Sequence, residues 1–341
     1  MNILWQMSIN DLKGLFNMRV LITGITGMVG SHLAEYILAH HPSVEVHGLI
    51  RWRSPLKNIE SILPQIKLHN AELRDLNSLI LLLKKVQPER IFHLAAQSYV
   101  TTSFSSPADT LHTNVIGTTN LLDAMRICEL DAKVHICSSS EVYGQVTKDE
   151  VPISEANPFR PASPYAVSKV GEDMIALQYY LSYGVKTIRT RMFTHTGPRR
   201  GDVFAESAFA KQIAEIEAGV RENPMKVGNL ESVRTFADVR DAVRAYWLLL
   251  EKCSPGEVYN IGGARTMTVG EMLQVLKGMS KFKIEHQVDS ALLRPSDVTL
   301  QIPDISKFQK ATGWKPEIPL EETLRDLLDY HRNQIKEGVL A

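Results

Sequence analysis

Cysteine is scarce: Cys128, Cys137 and Cys253 are scattered through 341 residues. An odd, unclustered set excludes a disulfide framework and cysteine-based metal spacing, and a reducing cytoplasm is the compartment it fits. Neither sign of charge dominates, since lysine plus arginine and aspartate plus glutamate each total 38. Nucleic acid is therefore not expected as a partner, and any phosphate recognition has to be local. No apolar run approaches the roughly 20 residues of a membrane span. Internal repeats and low-complexity segments are missing as well. The remaining composition, 44% apolar and 22% charged, suits a globular chain with a sizeable core. The length suggests one large domain, or a large one and a smaller one.

The first 17 residues, MNILWQMSINDLKGLFN, lack the basic start and apolar stretch of a signal peptide. They read either as a short helix docking Leu4, Trp5, Leu12, Leu15 and Phe16 on the body or as a frayed extension. From Met18, short apolar runs alternate with helical stretches. RVLITG, VEVHGLIR, RIFHLAA, KVHICSS and VKTIRTRMF read as strands. GSHLAEYILAHH, DLNSLILLLKKV, NVIGTTNLLDAMRIC and SKVGEDMIALQYYLSYG read as helices. Continuous apolar strands alternating with helices predict an α/β fold, a doubly wound parallel sheet covered on both faces. After about residue 195 the alternation loosens. We expect an extension over 1–17, a large sheet domain over 18–195, and a smaller region over 196–341 that crosses back to the sheet.

The chemistry begins at TGITGMVG, with Gly24, Gly27 and Gly30 between a strand and a helix. Glycine there permits a tight turn, close backbone approach to a pyrophosphate, and helix-to-strand contact. The helix start adds N–H groups and partial positive charge, so Thr26, Met28 and Val29 join the expected cofactor contacts. The second strand ends LIRWRSP, where a ribose 2′-hydroxyl would want a carboxylate and a 2′-phosphate would want cations. Arg51 and Arg53 stand there, favouring NADP over NAD; the alternative is two solvated arginines. SPYAVSK places Tyr165 and Lys169 one helical turn apart, and the ammonium should lower the phenol's pKa. HICSSSEVYG ends a core strand in serines and then sets Glu141 beside them, a candidate base or else a capping or ion-paired carboxylate.

Together the glycine turn, HLAAQS, Ser139 ahead of the tyrosine–lysine pair, and SPYAVSK resemble the extended short-chain dehydrogenase/reductases acting on nucleotide sugars. SSSEVYG, VGNLESVRTFADVRDAVRAYWLLL, RPSDV and GWKPEIPLEE narrow the resemblance to the GDP-mannose 4,6-dehydratases and neighbouring GDP-4-keto-6-deoxymannose reductases. The resemblance implies a Rossmann-like fold, an NADP cofactor, a GDP-sugar substrate and a homo-oligomer. Tyr165 would take the C4 proton, Lys169 hold the nicotinamide ribose, Ser139 bond the C4 oxygen, and Glu141 serve C5 and C6. Ser139 stands where the family usually has threonine, and keeps the hydroxyl. Leu94, Ala95, Ala96 and Ser98 would lie along the ribose and nicotinamide, Ser98 also near the sugar. Glu72 and Leu73 would lie near the adenine, with His195 and Arg200 completing the cofactor set. Thr194 replaces a frequent asparagine beside the sugar. Lys211, Arg234 and Arg294 would grip the nucleoside diphosphate, and the arginines of GPRRGD could reach a neighbouring subunit's cofactor. A reductase consuming NADPH, an epimerase and a catalytically idle dinucleotide-binding regulator are the competing readings.

Overall fold

A computed structural model describes residues 17–293 and 297–338. The helix considered within the first 16 residues, and Arg294, lie outside the described residues.

Seven strands form the central sheet: β1 (Arg19–Thr23), β2 (Glu45–Ile50), β3 (Lys67–Asn70), β4 (Arg90–His93), β5 (Lys133–Ser139), β6 (Thr187–Met192) and β7 (Val258–Ile261). Their order is β7–β6–β5–β4–β1–β2–β3, and every pair is parallel. β1 and β4 bury apolar side chains on both faces, as burial under two helical layers requires, while β6 carries buried Arg189 and Arg191 and the edge strand β3 is only half covered. On one face α1 (Met28–His40) and α6 (Val239–Lys252) pack over Val20, Ile22, Phe92 and Ile188. On the other, α2 (Leu76–Val86), α3 (Gly117–Ile127) and α4 (Pro164–Tyr183) cover Leu21, Ile91, Val134 and Ile136. This is the doubly wound architecture expected from the alternation. Strand order reverses at β1, which pairs with both β2 and β4, and the crevice beyond their carboxyl ends is where such sheets bind ligands.

The sheet also draws in chain from beyond residue 195, because β7 pairs with β6 and α6 covers a sheet face. The rest of that segment has its own core. Phe209 and Ile213 of α5 (Ala205–Glu217), Met272 and Leu273 of α7 (Val269–Gly278), and Leu324 and Leu328 of α8 (Leu320–Lys336) pack together. A three-stranded sheet centred on Val233–Thr235 joins this region to the carboxyl edge of the main sheet.

Candidate active site

A cleft of about 1070 Å³ separates the carboxyl edge of the sheet from the C-terminal region. That volume exceeds a typical single-ligand pocket, leaving room for a dinucleotide and a second nucleotide.

The glycine turn forms one end. Gly24 has φ +73°, and a Cβ on it would stand 2.9 Å from the Ala95 nitrogen. At Gly30 a Cβ would fall 2.2 Å from the Gly24 carbonyl oxygen, so the first turn of α1 closes onto the loop only with glycine. Gly27 caps α1 without any side-chain hydrogen bond, which leaves the helix start to an anion. The adjacent loop is fixed by a buried relay. The Thr23 hydroxyl oxygen accepts the Leu94 and Ala95 N–H groups at 3.1 and 3.2 Å. Its own proton must go to His93 Nδ1, 2.8 Å away, so His93 donates from Nε2 to Thr118 Oγ1 at 3.0 Å. Burial, with Lys169 adding to it, drives the His93 pKa down to about 3, which keeps this imidazole neutral.

The serine run at the end of β5 divides its labour. Ser138 Oγ donates to the Lys169 carbonyl at 3.1 Å, tying β5 to α4. Ser140 Oγ donates to Gln301 Oε1 at 2.9 Å, tying it to the C-terminal region. Ser139, between them, lines the cleft, caps the following turn by accepting the Glu141 N–H at 3.2 Å, and bonds Tyr165. The 3₁₀ turn Ser140–Tyr143 then sets Glu141 on the cleft wall.

Tyr165 and Lys169 lie in the first turns of α4, which begins with Pro164 after Ser163, whose Oγ accepts the Ala166 N–H at 3.1 Å. Lys169 Nζ is 5.8 Å from the Tyr165 ring centre and donates to the Cys137 carbonyl at 3.0 Å and Glu172 Oε2 at 2.8 Å. The expectation of a lowered tyrosine pKa is corrected here. Burial raises the Tyr165 pKa, and the opposing pull of Lys169 and of the Ser139 hydrogen bond does not overcome it.

Thr26, Met28, Val29, Arg51, Glu72, Leu73, Leu94, Ala95, Ala96, Ser98, Thr194, His195, Arg200 and Arg234 all line the cleft. His195 Nδ1–H donates to the Phe193 carbonyl at 3.2 Å, and burial plus Arg200 lowers its pKa to about 4, leaving Nε2 an acceptor. Arg234 donates from Nη2 to the Val298 carbonyl at 2.8 Å and pairs with Asp297 at 3.6 Å, while its buried Nη1 has no partner among the described residues. Two expected residues fall elsewhere. Arg53 is exposed outside the lining, and Lys211 is held by Asp202 at 2.6 Å on the flank of α5, drawn off by the nearer carboxylate. The GPRRGD loop also makes contacts within the chain. Arg199 donates to Ser31 Oγ at 3.1 Å and Glu35 Oε1 at 2.5 Å on α1, and Arg200 pairs with Glu206 at 3.1 Å. Sequence reasoning missed Arg221, Lys226 and Gln212, which line the far end of the cleft. Gln212 grips Lys226 through both its N–H and its carbonyl, at 2.8 and 2.9 Å. Their signal is spatial, since no motif joins them.

With the geometry in place, comparison is informative. Residues 21–327 match the family model described as GDP-mannose 4,6 dehydratase. The GDP-mannose 4,6-dehydratase of Yersinia enterocolitica is 33% identical, over 94% of this chain and 96% of that protein. The GDP-6-deoxy-D-mannose reductase of Pseudomonas aeruginosa is 32% identical, over 94% of this chain and 99% of that one. Among solved structures, RMD from Pseudomonas aeruginosa complexed with NADPH superposes with a TM-score of 0.81 at 32% identity, over 93% of this chain and 99% of that one. The dTDP-glucose 4,6-dehydratase of Bacillus anthracis in complex with NAD gives a TM-score of 0.80 at 27% identity, over 94% and 98%.

Proposed function

The chain belongs to the GDP-mannose 4,6-dehydratase family, and from that premise we propose that it converts GDP-mannose, or a closely related GDP-sugar, to the 4-keto-6-deoxy sugar with loss of water. One observation carries this reading: Ser139, Glu141, Tyr165 and Lys169 share one cleft with the glycine turn. The fold and its neighbours support a pyridine nucleotide in the cradle of Gly24 and Gly30. Arg51, on the cleft at the end of β2, favours the 2′-phosphate of NADP. When bound, the nicotinamide supplies a hydride acceptor that returns the same hydride to the sugar.

The chain's own residues handle the protons. Tyr165 Oη, held by Ser139, takes the C4 hydroxyl proton, and Lys169 steadies that oxygen's charge. The ketone formed at C4 acidifies C5, whose proton passes to Glu141. Glu141 hands it to the departing C6 hydroxyl, which leaves as water. The proton gathered by Tyr165 balances the one finally restored at C5. Arg234, paired with Asp297 at 3.6 Å and with Nη1 unpartnered among the described residues, supplies a cation to the diphosphate, beside Arg221 and Lys226, which are paired with Glu215 at 2.5 Å and Asp289 at 3.8 Å.

A homo-oligomer is part of the same proposal. Val167, Met174 and Leu181 recur every seven residues along α4 and are 46%, 37% and 70% exposed, beside exposed Ile127 of α3. Such an apolar stripe suits a helix-to-helix interface between two copies. The free cysteines suit a cytoplasmic setting, and no helix among the described residues is long and apolar enough to cross a membrane.

The test is to incubate the protein with GDP-mannose and catalytic NADP and to follow the sugar nucleotide by mass spectrometry. Loss of one water without net NADPH is the expected result. An unchanged GDP-mannose mass, with stoichiometric NADPH oxidation on a 4-keto-6-deoxy substrate, would establish the reductase reading that the Pseudomonas relative represents.

A further inference from the structure

Beneath the cleft lies a carboxylate that the reaction outlined above does not use. Glu172 is 1% exposed and Lys169 5%, and they pair at 2.8 Å on one face of α4. The Lys169 ammonium has three N–H groups. Cys137 O takes one and Glu172 Oε2 another, so a single N–H remains for the cleft that Lys169 lines. The other oxygen, Glu172 Oε1, is buried with no partner among the described residues. The neighbouring Asp173 cannot substitute for it. Its two oxygens are already held by Arg189 at 2.7 Å and Arg191 at 2.8 Å from β6.

A buried ion pair with one oxygen left unpaired stabilises a fold poorly compared with packed apolar side chains. Its location under Lys169, which lines the cleft beside Tyr165, gives it another use. We propose that Glu172 is a positioning residue for proton transfer: it anchors the Lys169 ammonium and damps that ammonium's field at Tyr165. This rests on the reading of Tyr165 as the base.

Charged and titratable groups surround the pair on every side. Tyr165 and Lys169 share α4 with Glu172, Cys137 lies on β5, and Arg189 and Arg191 on β6 are balanced mainly by Asp173. His93 and His135 stay neutral in their strands, and the Tyr246 hydroxyl of α6 sits 3.5 Å from Cys137 Sγ. Lys169 draws the Tyr165 pKa down, and Glu172 pushes it back up. Burial disfavours the Lys169 ammonium, but Glu172, Tyr165 and Cys137 outweigh it and hold the group protonated. Without Glu172 the ammonium is held protonated by Tyr165 and Cys137 alone, and that closer pairing with the phenolate makes Tyr165 more acidic and a weaker base.

The experiment titrates Tyr165 itself, by near-ultraviolet tyrosinate absorbance of the full chain minus that of Tyr165→Phe, repeated in a Glu172→Gln background. Removing one buried charge should move the Tyr165 titration down by about one pH unit. A merely structural carboxylate would change thermal stability and leave this titration in place, and that result overturns the proposal. Should Glu172→Gln not fold, Glu172→Met fills similar volume without a polar atom and carries the same test. No turnover enters the measurement. A shifted titration in a protein that leaves GDP-mannose unconverted therefore removes the dehydratase reading and keeps the role of Glu172.

Discussion

Three consecutive serines occupy three environments because a strand end alternates its side chains and then turns. All three line the cleft, but the Ser138 and Ser140 hydroxyls are tied to separate structural neighbours, which leaves Ser139 beside Tyr165 with Glu141 beyond it. Glu141 belongs to the C5 and C6 end of the proposed reaction, so Glu141→Gln removes the acceptor for the C5 proton while keeping size and polarity. We expect loss of water from GDP-mannose to fall by about 10²-fold or more. NADPH affinity, read by fluorescence titration, should change less than about twofold, since the glycine cradle is untouched. Turnover at the wild-type rate would assign the C5 proton elsewhere. Glu141 could be found in the sequence because a carboxylate following a buried strand is conspicuous. Glu172 could not, because inside SKVGEDM it reads as ordinary helix polarity until burial is known.

At the scale of elements, the first βα unit shows how closely backbone geometry controls binding. Its three glycines are not equivalent. A Cβ on Gly27 meets only the Gly24 oxygen at 3.3 Å, whereas one on Gly30 falls 2.2 Å from that oxygen and 2.7 Å from Ile25 Cα. Gly30→Ala must therefore push α1 away from its loop, at about 1–3 kcal/mol of stability. It should also weaken NADP binding by more than about tenfold, because the helix start no longer meets the pyrophosphate. Gly27→Ala should cost far less on both counts. Denaturant unfolding and calorimetric titration of the two variants make the comparison, and equal effects would contradict the geometry. The edge of the main sheet is less legible from sequence. β1, β2, β4, β5 and β6 are legible as buried strands, but β3, with sequence KLHN, is not. It is an edge strand with half-covered polar side chains, so neither apolar run nor alternation signals it. The first part of the stretch NVIGTTNLLDAMRIC likewise reads as plain helix, yet His112–Ile116 forms a π turn whose Asn114 bonds Gln97 and Ser168.

Across the whole molecule, the cationic end of the cleft depends on segments far apart in sequence, which is why Arg221 and Lys226 escaped notice. The same compaction buries histidines in a way that fixes the protein's response to acid. Burial lowers the pKa of His93 and His135 from 6.5 to about 3, and that of His195 and His331 to about 4. Between those folded values and 6.5 the unfolded chain takes up protons that the folded chain refuses, so stability is fully present above 6.5 and declines as pH falls. Glu172, its pKa raised by burial, works in the opposite direction, but it is one group against these four. By about pH 5 each fully buried imidazole should have withdrawn on the order of 2 kcal/mol. His135 isolates the effect: Nε2 bonds Thr190 Oγ1 at 2.8 Å, Nδ1 has no partner among the described residues, and the ring packs against Tyr246. His135→Phe keeps an aromatic ring there and removes the titration. The difference in melting temperature between about pH 8 and about pH 5 should be smaller in this variant than in the wild type. If the two proteins lose stability in parallel over that interval, the buried imidazoles do not govern the acid response.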